Sequence, residues 1–228
     1  MSRILVLNGA SGSIGAVFGL LDRSGDALRV VAEELAPGRG GAEQLPVLLD
    51  RHLQATGWGA SSLDVIAVVV GPGSFTGLRA SLALAHGLAL GGSARLVGVT
   101  VGEALGPALQ AEADGQAVWC VSQARRDRVF IEWHDTNGWH VAAAMLAELP
   151  QSPASLLVGG DASASVADVL ERRGVAAQRS VLAGTPVASI ASAAAARLAG
   201  TLPPRAVQPL YVDPPEAKLP QPRAMRPA

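Results

Sequence analysis

One stretch organises the chain, Val68-Val-Val-Gly-Pro-Gly-Ser-Phe-Thr-Gly-Leu-Arg79. The apolar run 65–70 has the length and the β-branching of a buried strand. It ends at Gly71-Pro72-Gly73, a turn that neither a strand nor a helix carries internally. Ser74 or Thr76 can then cap a helix. The stretch therefore predicts a strand, a glycine turn and a helix that runs over 75–90.

The glycine turn has a second interpretation, as an anion site. A helix N-terminus that follows a glycine turn gathers backbone N–H groups into a concavity for phosphate, and a cation one turn into the helix adds charge. The predicted phosphate or nucleotide-adjacent loop consists of Gly71, Gly73, Ser74, Thr76, Gly77 and Arg79. The alternative is a tight connection whose glycines serve only the backbone conformation. The run matches neither the Walker loop nor the dinucleotide fingerprint.

The helix over 75–90 is almost free of charge. Only Arg79 and His86 can carry charge there, and many of the other residues are small. A helix that is apolar nearly all round is buried nearly all round, either inside a large core or beneath a partner. A second helix over 42–56 has leucines at helical spacing. We predict that the two helices form a partner-binding face, made of Leu45, Leu48, Leu49, Leu78, Leu82, Ala83, Ala85, His86 and Leu88.

Composition limits the class of protein. Of 228 residues, 49% are hydrophobic and 16% charged, and the net charge of −1 gives no electrostatic footprint for nucleic acid. The single cysteine, Cys120, excludes an internal disulfide framework. The apolar run at the start is too short for a signal peptide, and no stretch reaches the roughly 18 apolar residues of a membrane helix. We expect a soluble, cytoplasmic protein that binds no membrane.

The order of elements predicts an α/β fold with two related lobes, each a mixed sheet flanked by helices. The first lobe, 1–105, holds strands at 4–7, 14–21, 28–35, 64–70 and 96–99 around the two helices. The second lobe, 106–212, holds strands at 117–123, 129–134, 139–143 and 156–159, helices at 162–173 and 186–198, and an edge strand at 210–212. The stretch 100–115 is predicted to be the boundary region, and 213–228 a loose proline-rich tail. This order resembles the actin-like, ribonuclease H-like (ASKHA) superfamily of actin, Hsp70 and sugar kinases.

The residue inventory does not assemble a catalytic centre. The first strand ends at Asn8, where the superfamily carries a carboxylate, and an amide can neither take up a proton nor offer an anionic ligand. None of the four histidines pairs at i, i+4, and there is no Cys-x-x-Cys, so no metal site is predicted. Ser74 lacks the Gly-x-Ser-x-Gly spacing of a serine nucleophile, and Cys120 lies mid-strand between apolar neighbours. No catalytic residue is predicted.

The run Gly71–Arg79 resembles the signature of the TsaB (YeaZ) family, the scaffold subunit of the bacterial machinery for tRNA threonylcarbamoyladenosine. Three looser landmarks follow the same family: the helix opening at 38–46, a closing Pro-x-Tyr element at 209–214, and a basic turn. The basic turn consists of Arg125, Arg126 and Arg128, and its alternative is a solvated hairpin. Two positions depart from the family: Asn8-Gly9 stands where Asp-Thr is common, and Gly41 where a histidine is usual.

The resemblance implies a non-catalytic subunit that binds the catalytic TsaD subunit, recruits the ATPase TsaE and meets tRNA only indirectly. The complex would modify adenine 37 of tRNA. The chain alone would bind no cofactor, whereas ATP or ADP could lie at the interface, and the isolated chain could form a homodimer. One alternative is a small ATP-binding, kinase-like enzyme of the actin and sugar-kinase superfamily, with Gly71–Arg79 on the phosphates. The other is a protease, a label attached to this family.

Overall fold

The computed structural model describes residues 2–125, 127–136 and 138–212. The N-terminal lobe is built on a five-stranded sheet whose strands are β1 (Ser2–Asn8), β2 (Gly15–Ser24), β3 (Ala27–Pro37), β4 (Val65–Gly71) and β5 (Arg95–Thr100). Their order is β3-β2-β1-β4-β5, with an antiparallel meander on one side and parallel β1, β4 and β5 on the other. All seven residues of β4 are buried, as expected for a central parallel strand that is covered on both faces.

The C-terminal lobe repeats this plan in shorter form. Its strands are β6 (Ala117–Gln123), β7 (Arg128–Asp135), β8 (Gly138–Met145), β9 (Ser155–Gly159) and β10 (Ala176–Arg179). Their order is β10-β9-β6-β7-β8. The pattern of an antiparallel meander followed by parallel strands is thus present twice. The short edge strand β10 was not predicted, because its sequence Ala-Ala-Gln-Arg carries no apolar alternation.

In the part of the chain that the structure describes, five helices cover the sheets: α1 (Leu45–Thr56), α2 (Phe75–Gly91), α3 (Val101–Glu112), α4 (Ser163–Arg172) and α5 (Val187–Leu198). The helices α1 and α2 pack on one face of the N-terminal sheet, and α5 covers its opposite face. A 3₁₀ turn at Gly41–Gln44 leads into α1. The predicted helices at 42–56, 75–90, 162–173 and 186–198 therefore correspond to α1, α2, α4 and α5.

The two lobes exchange a helix. Although α3 follows the last strand of the N-terminal lobe, it packs on β6, β7 and β9 of the C-terminal sheet. Conversely, α5 returns from the C-terminal lobe to the N-terminal sheet, and α3 and α5 pack against each other. The junction predicted between residues 105 and 106 therefore lies inside a helix, and each lobe uses a helix from the other half of the chain.

The stretch 100–115, predicted to be the boundary region, lies between the strands of the two sheets and forms the helix α3. Its N-terminus carries a capping box: Thr100 Oγ1 accepts from the Glu103 amide at 3.0 Å, and Glu103 Oε2 accepts from the Thr100 amide at 2.8 Å. This Thr-x-x-Glu pattern indicates a helix start, and the sequence analysis did not use it to predict α3. Pro107, which disfavours a helix interior, lies exposed within α3.

The predicted strand at 210–212 is also wrong. The chain from 203 to 212, which we call the C-terminal strap, contains no strand and makes a single ladder-like bond, from the Leu210 amide to Val70 O at 2.8 Å. The tail predicted at 213–228 lies outside the described residues. Within the described part of the chain, no helix is both long and apolar enough to cross a membrane.

Candidate functional site

The helix cap predicted at Ser74 or Thr76 is formed by Ser74. Its Oγ accepts a hydrogen bond from the Gly77 amide at 3.3 Å, and its own amide donates to Ala10 O at 2.6 Å. Two N–H groups of the proposed anion concavity are thus bonded to oxygen atoms of the chain itself. The arrangement supports the alternative interpretation, in which the glycine turn is a tight connection.

The glycines of this turn are required by close packing against the loop after β1. A Cβ added at Gly77 would lie 2.1 Å from Gly9 O, and one at Gly73 would lie 2.2 Å from Ala10 O. Neither distance is compatible with a side chain. The start of α2 is therefore seated directly on the backbone of the first turn.

The first turn also connects the two lobes. Asn8 is buried, and its Oδ1 accepts from the Ala10 amide at 2.9 Å, which makes the tight turn that the sequence suggested. Ser11 and Ser13 donate to Asp161 Oδ2 across the lobes at 2.7 and 3.0 Å. Asp161 Oδ1 accepts from the Gln123 amide at 2.6 Å. Asp161 was not predicted as a site residue, although its place after a Gly-Gly pair at a strand end was a usable signal.

Gly41, where the resembled family usually has histidine, is held by the same kind of contact. A Cβ at this position would lie 2.2 Å from Ala36 O. In this conformation no side chain fits, so the departure has a steric reason. The neighbouring His52 is bonded to Glu34 at 2.8 Å and stacked on Phe18, with ring centroids 5.1 Å apart.

The predicted partner-binding face needs correction. Six of its nine residues are buried within the chain's own core: Leu45, Leu48, Leu49, Leu78, Leu82 and Ala85. Leu88 is half-buried, and only Ala83 and His86 are exposed. A helix that is apolar on every side does not reveal from its sequence which side meets the sheet, and here the leucine side does.

The outer side of α2 is nevertheless a continuous, weakly charged surface. We call it the α2 stripe, and it consists of Phe75, Thr76, Arg79, Ala83, His86, Gly87 and Leu90, all exposed. The steps of three and four residues keep these positions on one face. Phe75 is 55% and Leu90 89% exposed, and Val47 on the neighbouring α1 is 69% exposed. A helix face that exposes large apolar side chains near both of its ends is a candidate interaction surface.

The C-terminal strap is hydrogen-bonded to Arg79 and His86, the two residues of the α2 stripe that can carry charge. The Arg79 guanidinium donates to Tyr211 Oη at 3.1 and 3.2 Å and lies 3.7 Å above the centroid of the Phe75 ring. The His86 Nε2 lies 2.8 Å from Val207 O, to which it donates. Arg79 is therefore part of an exposed aromatic cluster and is bonded to the strap, not to the glycine turn.

One carboxylate ties the strap to both lobes. Glu103 Oε1 accepts from Arg197 of α5 at 2.5 Å and from Arg205 of the strap at 2.8 Å. Burial raises the pKa of Glu103, but the bonds from Arg197, the Thr100 amide and Arg205 outweigh it, so the net shift of its pKa is downward. Glu103 is therefore an anion that fixes the start of α3.

The predicted basic turn lies at the β6–β7 hairpin of the C-terminal lobe, with Arg125 exposed and Arg128 half-buried. The Arg128 amide donates to Arg125 O at 3.2 Å and closes the turn. Arg126 lies outside the described residues. Among the residues that the structure describes, no group of three or more histidine, cysteine or acidic side chains could hold a metal ion.

Comparisons with known sequences agree with this picture. The family model of TsaD, tRNA N6-adenosine threonylcarbamoyltransferase, matches residues 37–132. The chain is 31% identical over 112 residues to the tRNA threonylcarbamoyladenosine biosynthesis protein TsaB of Escherichia coli K12, which is 47% of each protein. It is 44% identical over 81 residues to the tRNA N6-adenosine threonylcarbamoyltransferase of Cereibacter sphaeroides (strain ATCC 17025), which is 35% of the chain and 22% of that protein. The chain thus covers less than half the length of these curated relatives.

Solved structures match almost the whole chain. YeaZ from Pseudomonas aeruginosa superposes with a TM-score of 0.67 at 21% identity, over 92% of the chain and all of YeaZ. The resemblance to the TsaB (YeaZ) family is confirmed. A second structure, of an uncharacterized protein with similarity to peptidase YeaZ from Pseudomonas aeruginosa, gives 0.70 at 19% identity over 93% of the chain and all of that protein. The predicted α/β fold class, with two lobes that each hold a mixed sheet flanked by helices, is confirmed as well.

Proposed function

We propose that the chain acts in tRNA threonylcarbamoyladenosine biosynthesis as a non-catalytic subunit that binds a TsaD-like catalytic subunit. The observation that carries the proposal is the sequence match to TsaB, which falls on a chain with the YeaZ fold. The sequence match to TsaB covers about half of the chain, whereas the structural similarity to YeaZ covers 92% of it. Because the modification acts on tRNA, we infer that the chain works in the cytoplasm.

The α2 stripe is the surface that we assign to the catalytic partner. It combines Phe75 and Leu90, which expose apolar area, with Ala83 and Gly87, which are small enough for a second helix to approach closely. Burial of apolar area drives association, and aromatic and arginine side chains at the centre of an interface contribute much of the affinity. Arg79, which lies over the Phe75 ring and is bonded to Tyr211, provides such an aromatic and arginine group. The same stripe would join two copies of the chain as a homodimer when the catalytic subunit is absent.

The remaining partners follow from the role as a scaffold. A TsaE-like ATPase would bind the pair, ATP or ADP could occupy their joint, and tRNA would meet mainly the catalytic subunit. The net charge of −1 supports an indirect contact with tRNA, because a nucleic-acid surface needs concentrated positive charge. An ATPase assay with and without the chain tests the recruitment of TsaE.

The test of the main proposal is calorimetric titration of the chain with the TsaD-like protein of the same organism. Ala83→Glu places a charge on the α2 stripe and is expected to weaken binding at least tenfold. Ala111→Glu makes the same change at an exposed position of α3 and serves as the matched control. If Ala83→Glu binds with unchanged affinity, the α2 stripe is not part of the interface. If the wild-type chain does not bind the TsaD-like protein, the proposed function is rejected.

Ala85→Arg is not a suitable test of this surface. Ala85 is 0% exposed, so an arginine there would disrupt the N-terminal core, and loss of binding would report unfolding. The choice between Ala83 and Ala85, only two residues apart, depends entirely on which side of α2 faces the sheet.

The kinase-like alternative predicts tight ATP binding and magnesium-dependent turnover by the isolated chain. Calorimetry with ATP and Mg²⁺ tests it, and the absence of heat would retire it. For the protease alternative, Ser74 offers little support, because its hydroxyl caps α2. If casein is digested and Ser74→Ala abolishes the activity, this view of Ser74 is wrong.

A further inference from the structure

A small chamber lies between α3 and the sheet of the C-terminal lobe, and the proposed function does not use it. Its volume is about 90 Å³. The buried residues Cys120 and Glu132 line it together with Trp139, whereas the exposed Gln110 and Gln116 line it on the solvent side. The chamber is therefore a short pocket that leads from the surface to a buried carboxyl group.

The strand register explains why polar groups meet there. Cys120 of β6 pairs directly with Glu132 of β7, and Trp139 of β8 pairs with His134, two residues along the same face of β7. The helix α3 approaches this face closely, since a Cβ at Gly102 would overlap the Trp139 ring at 2.0 Å. The Gly102 amide donates to Glu132 Oε1 at 2.7 Å.

Two polar atoms of the chamber remain without a partner. Glu132 Oε2 and Trp139 Nε1 are both buried, and neither has a hydrogen bond to any of the described residues. Buried polar groups in folded proteins are almost always hydrogen-bonded, so two orphans that line one small cavity indicate an occupant that bonds to them. The side chain of Glu132 is 1% exposed.

The carboxyl group is uncharged at neutral pH. Burial raises the pKa of Glu132 to about 8, and the Thr100 hydroxyl and the Gly102 amide only partly offset this. Burial, with Glu132 beside it, also raises the pKa of the Cys120 thiol well above its usual value. The chamber thus presents O–H and N–H donors to its occupant, and the lining residue that can carry a positive charge is the exposed His134.

We propose that this chamber is a binding site for a small uncharged ligand whose oxygen accepts hydrogen bonds from Glu132 and Trp139. Water and a primary carboxamide share this chemistry. One water takes up about 30 Å³ in the liquid, so the chamber has room for a few waters or one acetamide-sized molecule. A carboxylate of the same size is disfavoured, because an anion buried beside Glu132 loses its hydration, whereas His134, the lining residue that can carry a positive charge, is exposed to solvent.

The experiment is nitrogen-15 NMR of the intact chain, in which the four tryptophans give four indole signals. Trp139→Phe identifies the Trp139 signal by deletion. We expect this signal to shift saturably with acetamide, or to show contact with a long-lived water, and not to respond to acetate. Trp58→Phe, which lies in the N-terminal lobe and does not line the chamber, is the control and is expected to leave the response unchanged.

Variants at Glu132 assign the second contact. Glu132→Gln keeps a neutral donor and is expected to retain the response, whereas Glu132→Met is expected to weaken acetamide binding at least tenfold. Long-lived water without an acetamide response supports the site with water as its occupant. Neither a water contact nor an acetamide shift, or equal shifts with acetate, overturns it. These readings come from the wild type, so they hold even if Glu132→Met does not fold.

Discussion

Two glycines, Gly77 and Gly41, stand where a side chain would overlap a backbone oxygen. Gly77 sits inside a helix, where glycine is normally destabilising, yet the Gly9 carbonyl occupies the space that a side chain would need. The same reason accounts for Gly41 against Ala36. Gly41, which departs from the resembled family, and Gly77, which the sequence placed in a phosphate loop, thus both allow close backbone packing.

Gly77→Ala is expected to destabilise the chain by about 2 kcal/mol or more, since the added Cβ would overlap a backbone oxygen. Gly87→Ala is the matched control on the same helix, where a Cβ meets nothing within 4 Å. The control is expected to stabilise by about 0.5–1 kcal/mol through helix propensity. Urea unfolding of both variants measures the two changes, and equal effects would contradict the packing argument.

Glu132 predicts a pH dependence of stability. Its pKa is about 8 in the folded chain against an ordinary 4.5, so between these values the folded state holds a proton that the unfolded state has lost. The contribution of Glu132 to stability is therefore complete below pH 4.5 and falls by about 1.4 kcal/mol per pH unit up to pH 8. The free energy of unfolding from pH 5 to 9 is expected to fall less steeply in Glu132→Gln than in the wild type. Parallel curves would show that the carboxyl titrates normally.

At the scale of elements, α3 shows how a local signal and a tertiary contact combine. Its capping box is readable in the sequence, but Pro107 and the alanine- and glycine-rich run around it obscure the helix. Packing on the C-terminal sheet stabilises α3 despite these residues. Its start is further fixed by the bonds from Arg197 and Arg205 to Glu103.

Thr100→Ala removes the side-chain half of this capping box. We expect a loss of about 1 kcal/mol in the free energy of unfolding, the usual effect of losing such a cap. Ser165→Ala on the exposed side of α4 is the control and should change stability little. If both variants unfold at the same denaturant concentration as the wild type, the cap does not stabilise α3.

The strap predicts an effect on the α2 stripe. Tyr211→Phe keeps the ring beside Phe75 but removes the hydroxyl that accepts two bonds from Arg79. Arg79 is then less fixed, and we expect affinity for the catalytic partner to fall severalfold with little change in stability, because Tyr211 is 55% exposed. Calorimetry alongside Tyr211→Leu, which also removes the ring, separates the two contributions. If both variants bind the catalytic partner with unchanged affinity, the strap does not contribute to binding.

At the scale of the whole molecule, the exchange of α3 and α5 joins the lobes. Each sheet is covered by a helix from the other half of the chain, and Asp161 adds bonds to Ser11 and Ser13 across the lobes. The core of the N-terminal lobe includes Ile190 of α5, and Leu105 and Leu109 of α3 share a buried cluster with Leu157 of the C-terminal sheet. The lobes are expected to unfold together.

Urea unfolding is therefore expected to give one transition, with coincident midpoints by far-ultraviolet circular dichroism and by tryptophan fluorescence. Three of the four tryptophans, Trp119, Trp133 and Trp139, belong to the C-terminal sheet, so fluorescence reports mainly on that lobe. Midpoints that differ between the two probes would mean that the exchanged helices do not couple the lobes.

The sequence alone was sufficient to predict nearly every strand and four of the five helices in the described part of the chain, a helix cap at Ser74 or Thr76, and the resemblance to TsaB. These features depend on local periodicity and on one specific motif, which neighbouring residues encode. Only the tertiary structure decided which side of α2 is exposed, that α3 and α5 change lobes, and that Glu132 and Trp139 share a chamber. Those facts depend on contacts between residues far apart in the chain, and an evenly apolar helix or a single buried acid carries no local signal of them.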